Sequence, residues 1–268
     1  MATTWSARFH ELCVYWAWWK AGRPRPRRAF VIFGHPRSGS QLLRNLLGQH
    51  PAVHCDGEVL LKFLETWPRR VLLPRLYMWG MAARRKADYY GCVLREDHLF
   101  QTCGRSGSLL ADLGPWKLIH LIRQNALRLA LSHVRADVTG RWMQRHPGPV
   151  PLIELPPEQV ADCLDWTLRV RDHEQATVNR FPHLSLEYSQ DLMDSTRHQA
   201  TADRVFQWLG LPACRVAAGL VRQGLERWQD GVKNAAAIEA ELNRRGFASW
   251  LEFDEAERRR SSGQQTGA

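Results

Sequence analysis

Gly34-His35-Pro36-Arg37-Ser38-Gly39-Ser40-Gln41 follows the apolar run Phe30-Val31-Ile32-Phe33 and leads into Leu42-Leu43. A short buried strand, a glycine-bearing loop and a helix in this order bring several backbone N–H groups and the positive end of a helix dipole to one point. That arrangement is a cradle for a phosphate. Gly34 and Gly39 stand five apart, the register of a Walker loop, but the next two residues do not suit a nucleoside triphosphatase. Ser40 takes the place of the lysine that reaches the β- and γ-phosphates, and Gln41 takes the place of the magnesium-binding hydroxyl. The cation stands inside the loop instead, at Arg37. Such a loop holds a phosphate without the usual equipment for a metal-bound triphosphate.

Pro36-Arg37-Ser38-Gly39-Ser40 resembles the P-R-S-G-S/T pattern of the sulfotransferases, whose donor is 3′-phosphoadenosine-5′-phosphosulfate (PAPS). The resemblance continues through Gln49-His50-Pro51-Ala52-Val53, which leads to Glu58 as in carbohydrate sulfotransferases. It continues again through Lys117-Leu118-Ile119-His120-Leu121-Ile122-Arg123 with Ser132 nine residues on, similar to the family's 3′-phosphate element. Asp56 to Leu60, the pair Gly91-Cys92, Leu186-Glu187-Tyr188 and Phe206 to Ala213 resemble the bacterial nodulation-factor enzymes most closely. The likeness covers most of positions 29 to 250.

What the resemblance implies is specific. The donor is PAPS, and the loop residues Arg37, Ser38, Gly39, Ser40 and Gln41 surround its leaving phosphate. Arg123 and Ser132 share the 3′-phosphate, and Glu58 is the general base for a hydroxyl acceptor. The acceptor is a carbohydrate or glycolipid, most plausibly through a primary 6-hydroxyl on an amino-sugar. The residues themselves support part of this. Loop N–H groups and a guanidinium would stabilise charge developing on a leaving phosphate, and an attacking alcohol needs a proton acceptor nearby. His54, Asp56 and His35 compete with Glu58 for that role, and His35 is the nearest of them to the loop. Arg222 and Lys233 are weaker candidates for reaching the nucleotide.

Two departures from the family pattern stand out. Val93 replaces a lysine after Gly91-Cys92, and Gln41 replaces a hydroxyl at the end of the loop motif. The alternatives to a carbohydrate sulfotransferase are a sulfotransferase for a non-sugar hydroxyl and a small-molecule kinase. The kinase needs a lysine and a magnesium ligand that the loop lacks, so no metal cofactor is expected.

The elements that must position these residues form a chain of 268 amino acids with a formal net charge of +10 and twelve tryptophans. That is ample for one large α/β domain. The positive charge suits an anionic nucleotide donor. Clusters of arginine fall near the termini, at 23–28 and 258–260, so nucleic acid is not an expected partner. Six scattered cysteines without a C-x-x-C pair or metal-ligand spacing point to reduced thiols in the cytoplasm. No apolar run reaches the length of a membrane span, and the N-terminus lacks the order of a secretory signal. No feature specifies an oligomeric state.

Strands are expected at about 29–33, 89–94, 116–122 and 183–188. Helices are expected at 5–20, 40–49, 60–87 with breaks near Pro68 and Pro74, up to Gly114, from Arg123 to Val138, and at 158–180 and 199–209. The alternation predicts a P-loop-like three-layer α/β fold, a central parallel sheet flanked by helices. Residues 1–28 form an N-terminal amphipathic helix and linker, 29–253 the sulfotransferase domain, and 254–268 a disordered tail. On the first helix Phe9, Leu12, Cys13, Trp16 and Trp19 make an apolar face. It is expected to pack on the domain, with peripheral membrane contact as the alternative. The proline-rich 140–157 stretch is expected to be a surface insertion near the acceptor.

Overall fold

The structure is a computed structural model that describes residues 4–65, 70–85, 87–104, 106–142, 150–217 and 225–263. Five strands form one parallel sheet: β1 (Ala29–Gly34), β2 (Val53–Glu58), β3 (Tyr89–Leu94), β4 (Lys117–Ile122) and β5 (His183–Glu187). Their order is β2-β3-β1-β4-β5. The helices are α1 (Thr4–Lys20), α2 (Ser40–Leu47), α3 (Leu61–Glu65), α4 (Pro74–Ala83), α5 (Glu96–Cys103) and α6 (Ser106–Leu113). They continue with α7 (Ala126–Thr139), α8 (Pro157–Val178), α9 (Tyr188–Asp191), α10 (His198–Leu209), α11 (Ala235–Arg244) and α12 (Ala248–Gly263).

β1 lies between β3 and β4 and is buried along its whole length. Its sequence is apolar at every position before Gly34 because both faces of a parallel sheet are covered. Successive side chains alternate between faces. Ala29, Val31 and Phe33 join one core with Val14 of α1, Tyr77 and Met78 of α4 and Leu99 of α5. Phe30 and Ile32 join the other, with Leu43, Leu46 and Leu47 of α2 and Val205, Phe206 and Leu209 of α10. These two cores make the three layers that the alternation of elements predicts. A third cluster joins α7, α8 and α11. α10 ends where expected, with Gly210 at φ 74° before Leu211 and Pro212, the left-handed stop that glycine adopts most easily.

The structure differs from the sequence-based expectation in several places. Residues 53–58 form an edge strand, β2, which lacks an apolar run. α5, α11 and α12 also lie outside the expected elements. The face of α1 is different as well: Ala7 and Val14 are buried, with Tyr15 and Trp18 half-buried against the same core. Phe9, Leu12, Trp16 and Trp19 are exposed. The helix is apolar on two sides, and a buried carboxylate decides which side docks. Glu11 is bonded by Arg8, by the Tyr15 hydroxyl and by the Leu72 N–H at 2.7 Å.

Residues 254–263, expected to be disordered, continue α12. Asp254 is buried and pairs with Arg128. Asn125 donates to Asp254 at 2.8 Å and to Glu257 at 2.7 Å. The charged composition of this segment reflects these partners rather than solvation alone. Residues 264–268 lie outside the described residues. Among the described residues no helix is long and apolar enough to cross a membrane.

Candidate active site

The carboxyl end of every strand delivers a chemically capable residue to one edge of the sheet, the edge at which open α/β folds bind ligands. β1 runs into the 34–41 loop, β2 ends on Glu58, β3 is followed by Arg95, β4 by Arg123 and β5 by Tyr188.

The loop is built by tight backbone demands. A Cβ on Gly34 would lie 2.5 Å from the Leu121 carbonyl oxygen of β4. Arg37 has φ 66° and Gly39 φ 101°. A non-glycine residue in the left-handed region is uncommon and costs energy, and such residues gather at functional sites. Gly39 caps the N-terminus of α2, so the first N–H groups of the helix face the loop. Ser38 is fully buried, and among the described residues nothing bonds its Oγ. A buried hydroxyl beside the first N–H groups of α2, inside a glycine-shaped turn, fits an anionic oxygen ligand such as a phosphate.

Arg37, Arg123 and Ser132 are brought together. Arg37 Nε donates to Ser132 Oγ at 3.0 Å, and its Nη1 donates to the Trp142 carbonyl at 2.5 Å. Arg123 Nη1 donates to the Arg37 carbonyl at 3.3 Å, and its guanidinium lies 4.7 Å from the centre of the Tyr188 ring. Arg123 and Ser132 converge because Arg123 precedes α7 while Ser132 lies in its second turn; Asn125 caps the helix between them, accepting from the Arg128 N–H at 3.0 Å. Burial disfavours the charge on Arg37, whereas Tyr188 and Glu58 favour it. Ser40 is buried in the first turn of α2, and Gln41 of the same turn faces Gly57 near the end of β2.

Glu58 is held on the opposite rim. The register of β2 on β3 shifts between Cys55 and Glu58, an irregularity that re-aims the side chain. Arg95 Nη1 donates to Glu58 Oε2 at 3.2 Å, while the rest of the Arg95 fork bonds both oxygens of Asp97 at 3.0 and 2.6 Å. Arg95 is thus shared between Glu58 and Asp97, with its shorter contacts on Asp97. His98 Nε2 lies 3.7 Å from Glu58 Oε2.

The competing bases are placed differently. Asp56 is committed to His54 at 2.9 Å, Arg85 at 2.7 Å and the Tyr90 hydroxyl at 3.2 Å. Burial raises its pKa, but His54 and Arg85 outweigh burial and hold it below the usual range. His35 is buried, with Nδ1 3.0 Å from the Pro36 carbonyl. It stands edge-on to Trp166 at 5.1 Å, and His133 bridges Trp166 to Trp142. An aromatic wall thus flanks the Arg37 side of the loop. Lys233 sits beyond α8, where its N–H bonds the Ile153 carbonyl; Arg222 lies outside the described residues, as do positions 143–149 of the expected insertion.

Sequence reasoning missed Arg95, Asp97, His98 and Arg44, whose guanidinium backs Gly57 at the end of β2. Arg95 had a usable signal, since it follows the apolar run of β3 as Arg123 follows that of β4.

Two expected results follow from this geometry. Gly39→Ala places a methyl 2.6 Å from the Tyr188 ring at φ 101°. It should lower unfolding stability by about 1–3 kcal/mol, read by urea denaturation, and weaken phosphate binding in the same samples. The second concerns acid. Burial chiefly pushes His35 and His98 down to about 4, whereas unfolded imidazole titrates near about 6.5. Between those values the unfolded chain binds more protons, so stability is complete above about pH 6.5 and falls as pH drops toward about 4. The loss should reach on the order of 3 kcal/mol per histidine. Urea midpoints from pH 7 down to pH 4 would measure it, and His98→Gln should flatten the profile.

Residues 29–101 match the profile of the Sulfotransferase family. Nodulation protein H of Rhizobium tropici is 28% identical over 244 residues, covering 85% of this chain and 94% of that protein. Nodulation protein H of Rhizobium meliloti is 30% identical over 217 residues, covering 74% of this chain and 84% of that protein. A crystal structure of a sulfotransferase from Alicyclobacillus acidocaldarius aligns with a TM-score of 0.48 at 12% identity, covering 81% of this chain and 96% of that one.

Proposed function

The chain belongs to the sulfotransferase family, and from that premise we propose that it transfers the sulfuryl group of PAPS to a hydroxyl of a carbohydrate or glycolipid. The observation that carries this reading is the convergence of Arg37, Arg123 and Ser132 around a phosphate-shaped loop. When bound, PAPS supplies a sulfuryl group activated by a phosphate leaving group.

The chain's own residues supply the rest. Arg37 and the N–H groups of residues 37–41 stabilise the charge that grows on the 5′-phosphate oxygen as its bond to sulfur breaks. Fixed donors in a water-poor site are worth more than the same donors in water. Arg123 and Ser132 hold the 3′-phosphate. Glu58 takes the proton of the acceptor hydroxyl while the new oxygen–sulfur bond forms, and Arg95 keeps its carboxylate aimed at the acceptor.

The sugar acceptor is supported by the relatives named nodulation protein H and by the aromatic wall of Trp142, His133 and Trp166 beside Arg37. Apolar rings with a few placed polar groups are the usual lining of a small-molecule site. Labelled PAPS offered with chitin oligosaccharides, lipo-chitooligosaccharides, phenols and steroids tests the reading. Sulfation of the sugars is expected, and sulfation of a phenol with none of any sugar overturns the acceptor assignment.

Arg123→Ala separates the two phosphates. It should weaken adenosine 3′,5′-bisphosphate by about 1.5–3 kcal/mol, the range for a lost charge-assisted bond. It should scarcely alter adenosine 5′-phosphosulfate, which has no 3′-phosphate. Isothermal titration of both ligands checks it, and equal weakening would place Arg123 in support of the fold.

A further inference from the structure

α1 presents a second apolar face that the domain does not cover. Phe9, Leu12, Trp16 and Trp19 are each more than half exposed. At 3.6 residues per turn they form one stripe roughly 15 Å long, on the side away from Ala7, Val14 and Trp18. Leu72 and Leu73, also more than half exposed, flank it where their N–H groups bond Glu11 and Tyr15.

The stripe ends in a fixed basic segment. Gly22 and Arg23, at φ 81° and 58°, turn the chain out of α1 into Pro24-Arg25-Pro26-Arg27-Arg28. The Trp18 indole donates to the Pro24 carbonyl at 2.9 Å and the Trp116 indole to the Pro26 carbonyl at 3.0 Å. The backbone is thereby pinned while Arg23, Arg25, Arg27 and Arg28 remain exposed. Residues 12–28 contain no aspartate or glutamate, and among the described residues none of these four arginines is ion-paired. Beside them a cleft of about 520 Å³ is lined by Arg25, Arg27, Arg75 and Trp79, with Asp112 as its carboxylate. Arg25 and Arg75 lie 5.7 and 5.1 Å from the centre of the Trp79 ring, so like charges are gathered where an anion would relieve them.

We propose that this face docks the enzyme on an anionic lipid bilayer. Tryptophan and phenylalanine on one face of a surface helix enter the boundary between headgroups and acyl chains, and adjacent arginines meet lipid phosphates. Charge decides between occupants. A stripe paired with a second copy of the chain would leave the arginines unneutralised, whereas an anionic surface matches both parts at once. The basic segment leads into the amino end of β1, opposite the phosphate loop, so docking leaves the carboxyl edge of the sheet open. Docking on a bilayer is independent of the identity of the acceptor.

Sedimentation of the full chain with sucrose-loaded vesicles tests it, using phosphatidylcholine alone and an equimolar mixture with phosphatidylglycerol. Binding to the mixed vesicles, weakened by salt, is expected, with little binding to phosphatidylcholine. Trp16→Ser with Trp19→Ser should reduce partitioning by about tenfold or more. Arg23→Glu, Arg25→Glu and Arg27→Glu together should reduce it by about a hundredfold or more, since each basic residue near an anionic surface contributes roughly fivefold. Both variants should keep wild-type affinity for adenosine 3′,5′-bisphosphate, which reports that they fold. If the tryptophan variant fails that check, the arginine variant carries the test alone. No binding to mixed vesicles, equal binding to both kinds, or a dimer in sedimentation velocity that Trp16→Ser with Trp19→Ser dissociates would each overturn the proposal.

Discussion

Glu58→Gln should lower the rate of sulfuryl transfer by about 10²–10⁴-fold, the usual contribution of a positioned acid–base group, and should leave nucleotide affinity unchanged. The amide preserves the shape of the carboxylate and can still meet Arg95 Nη1, 3.2 Å away in the native enzyme, but it cannot accept the acceptor's proton. Single-turnover kinetics with labelled PAPS isolate the chemical step, and titration with adenosine 3′,5′-bisphosphate measures the donor site independently. Loss of nucleotide binding would assign Glu58 a structural role. Near-normal turnover would move the base to His35, because Asp56 is already occupied by His54, Arg85 and Tyr90.

Arg37→Ala should reduce turnover by on the order of 10³-fold or more, as expected for a fixed cation removed from a developing negative charge. The loss has two sources. The guanidinium disappears from the cradle, and Ser132 loses the donor that holds its hydroxyl at 3.0 Å. Stability should change little or rise, because alanine has no charge to desolvate, although it inherits the left-handed φ of 66°. Comparing kcat with the thermal midpoint separates these effects. A variant that retains turnover would remove Arg37 from the leaving-group role.

The parts of this molecule that were legible in the sequence are those where one physical demand dominates. Phe30 to Phe33 is apolar throughout because β1 is covered on both faces, and the glycines that follow answer a close approach to β4 and a left-handed turn. Ile122-Arg123-Gln124-Asn125 announces the end of a buried strand and the cap of the next helix. Elsewhere two demands competed. Val53-His54-Cys55-Asp56-Gly57-Glu58 forms an edge strand whose polar side chains serve the site and the Arg85 network, so no alternation marks it. In α1 the aromatic stripe outweighs the packing face in bulk, and only the bonds to Glu11 reveal which side is inward. The composition of the tail predicts solvation, yet Asp254 is the partner of Arg128. Arg95 is legible by the same strand-end logic as Arg123, since each follows a buried strand at the carboxyl edge of the sheet.

Gly39 and Tyr188 are separated by most of the domain in sequence, yet no more than hydrogen fits between the loop and that ring. The wall of the donor cradle is therefore supplied by the residue that leaves the last strand of the sheet. A nascent chain emerging from the ribosome has its phosphate loop, β1 and α2 early, but it has no Tyr188 and no ring under Arg123 until β5 has been made and paired with β4. Long-range contacts of this kind form late because loop closure must precede them. Under the proposed function, nucleotide competence arrives with completion of the sheet, and a fluorescent analogue of adenosine 3′,5′-bisphosphate would serve as a sensor of finished chains during synthesis.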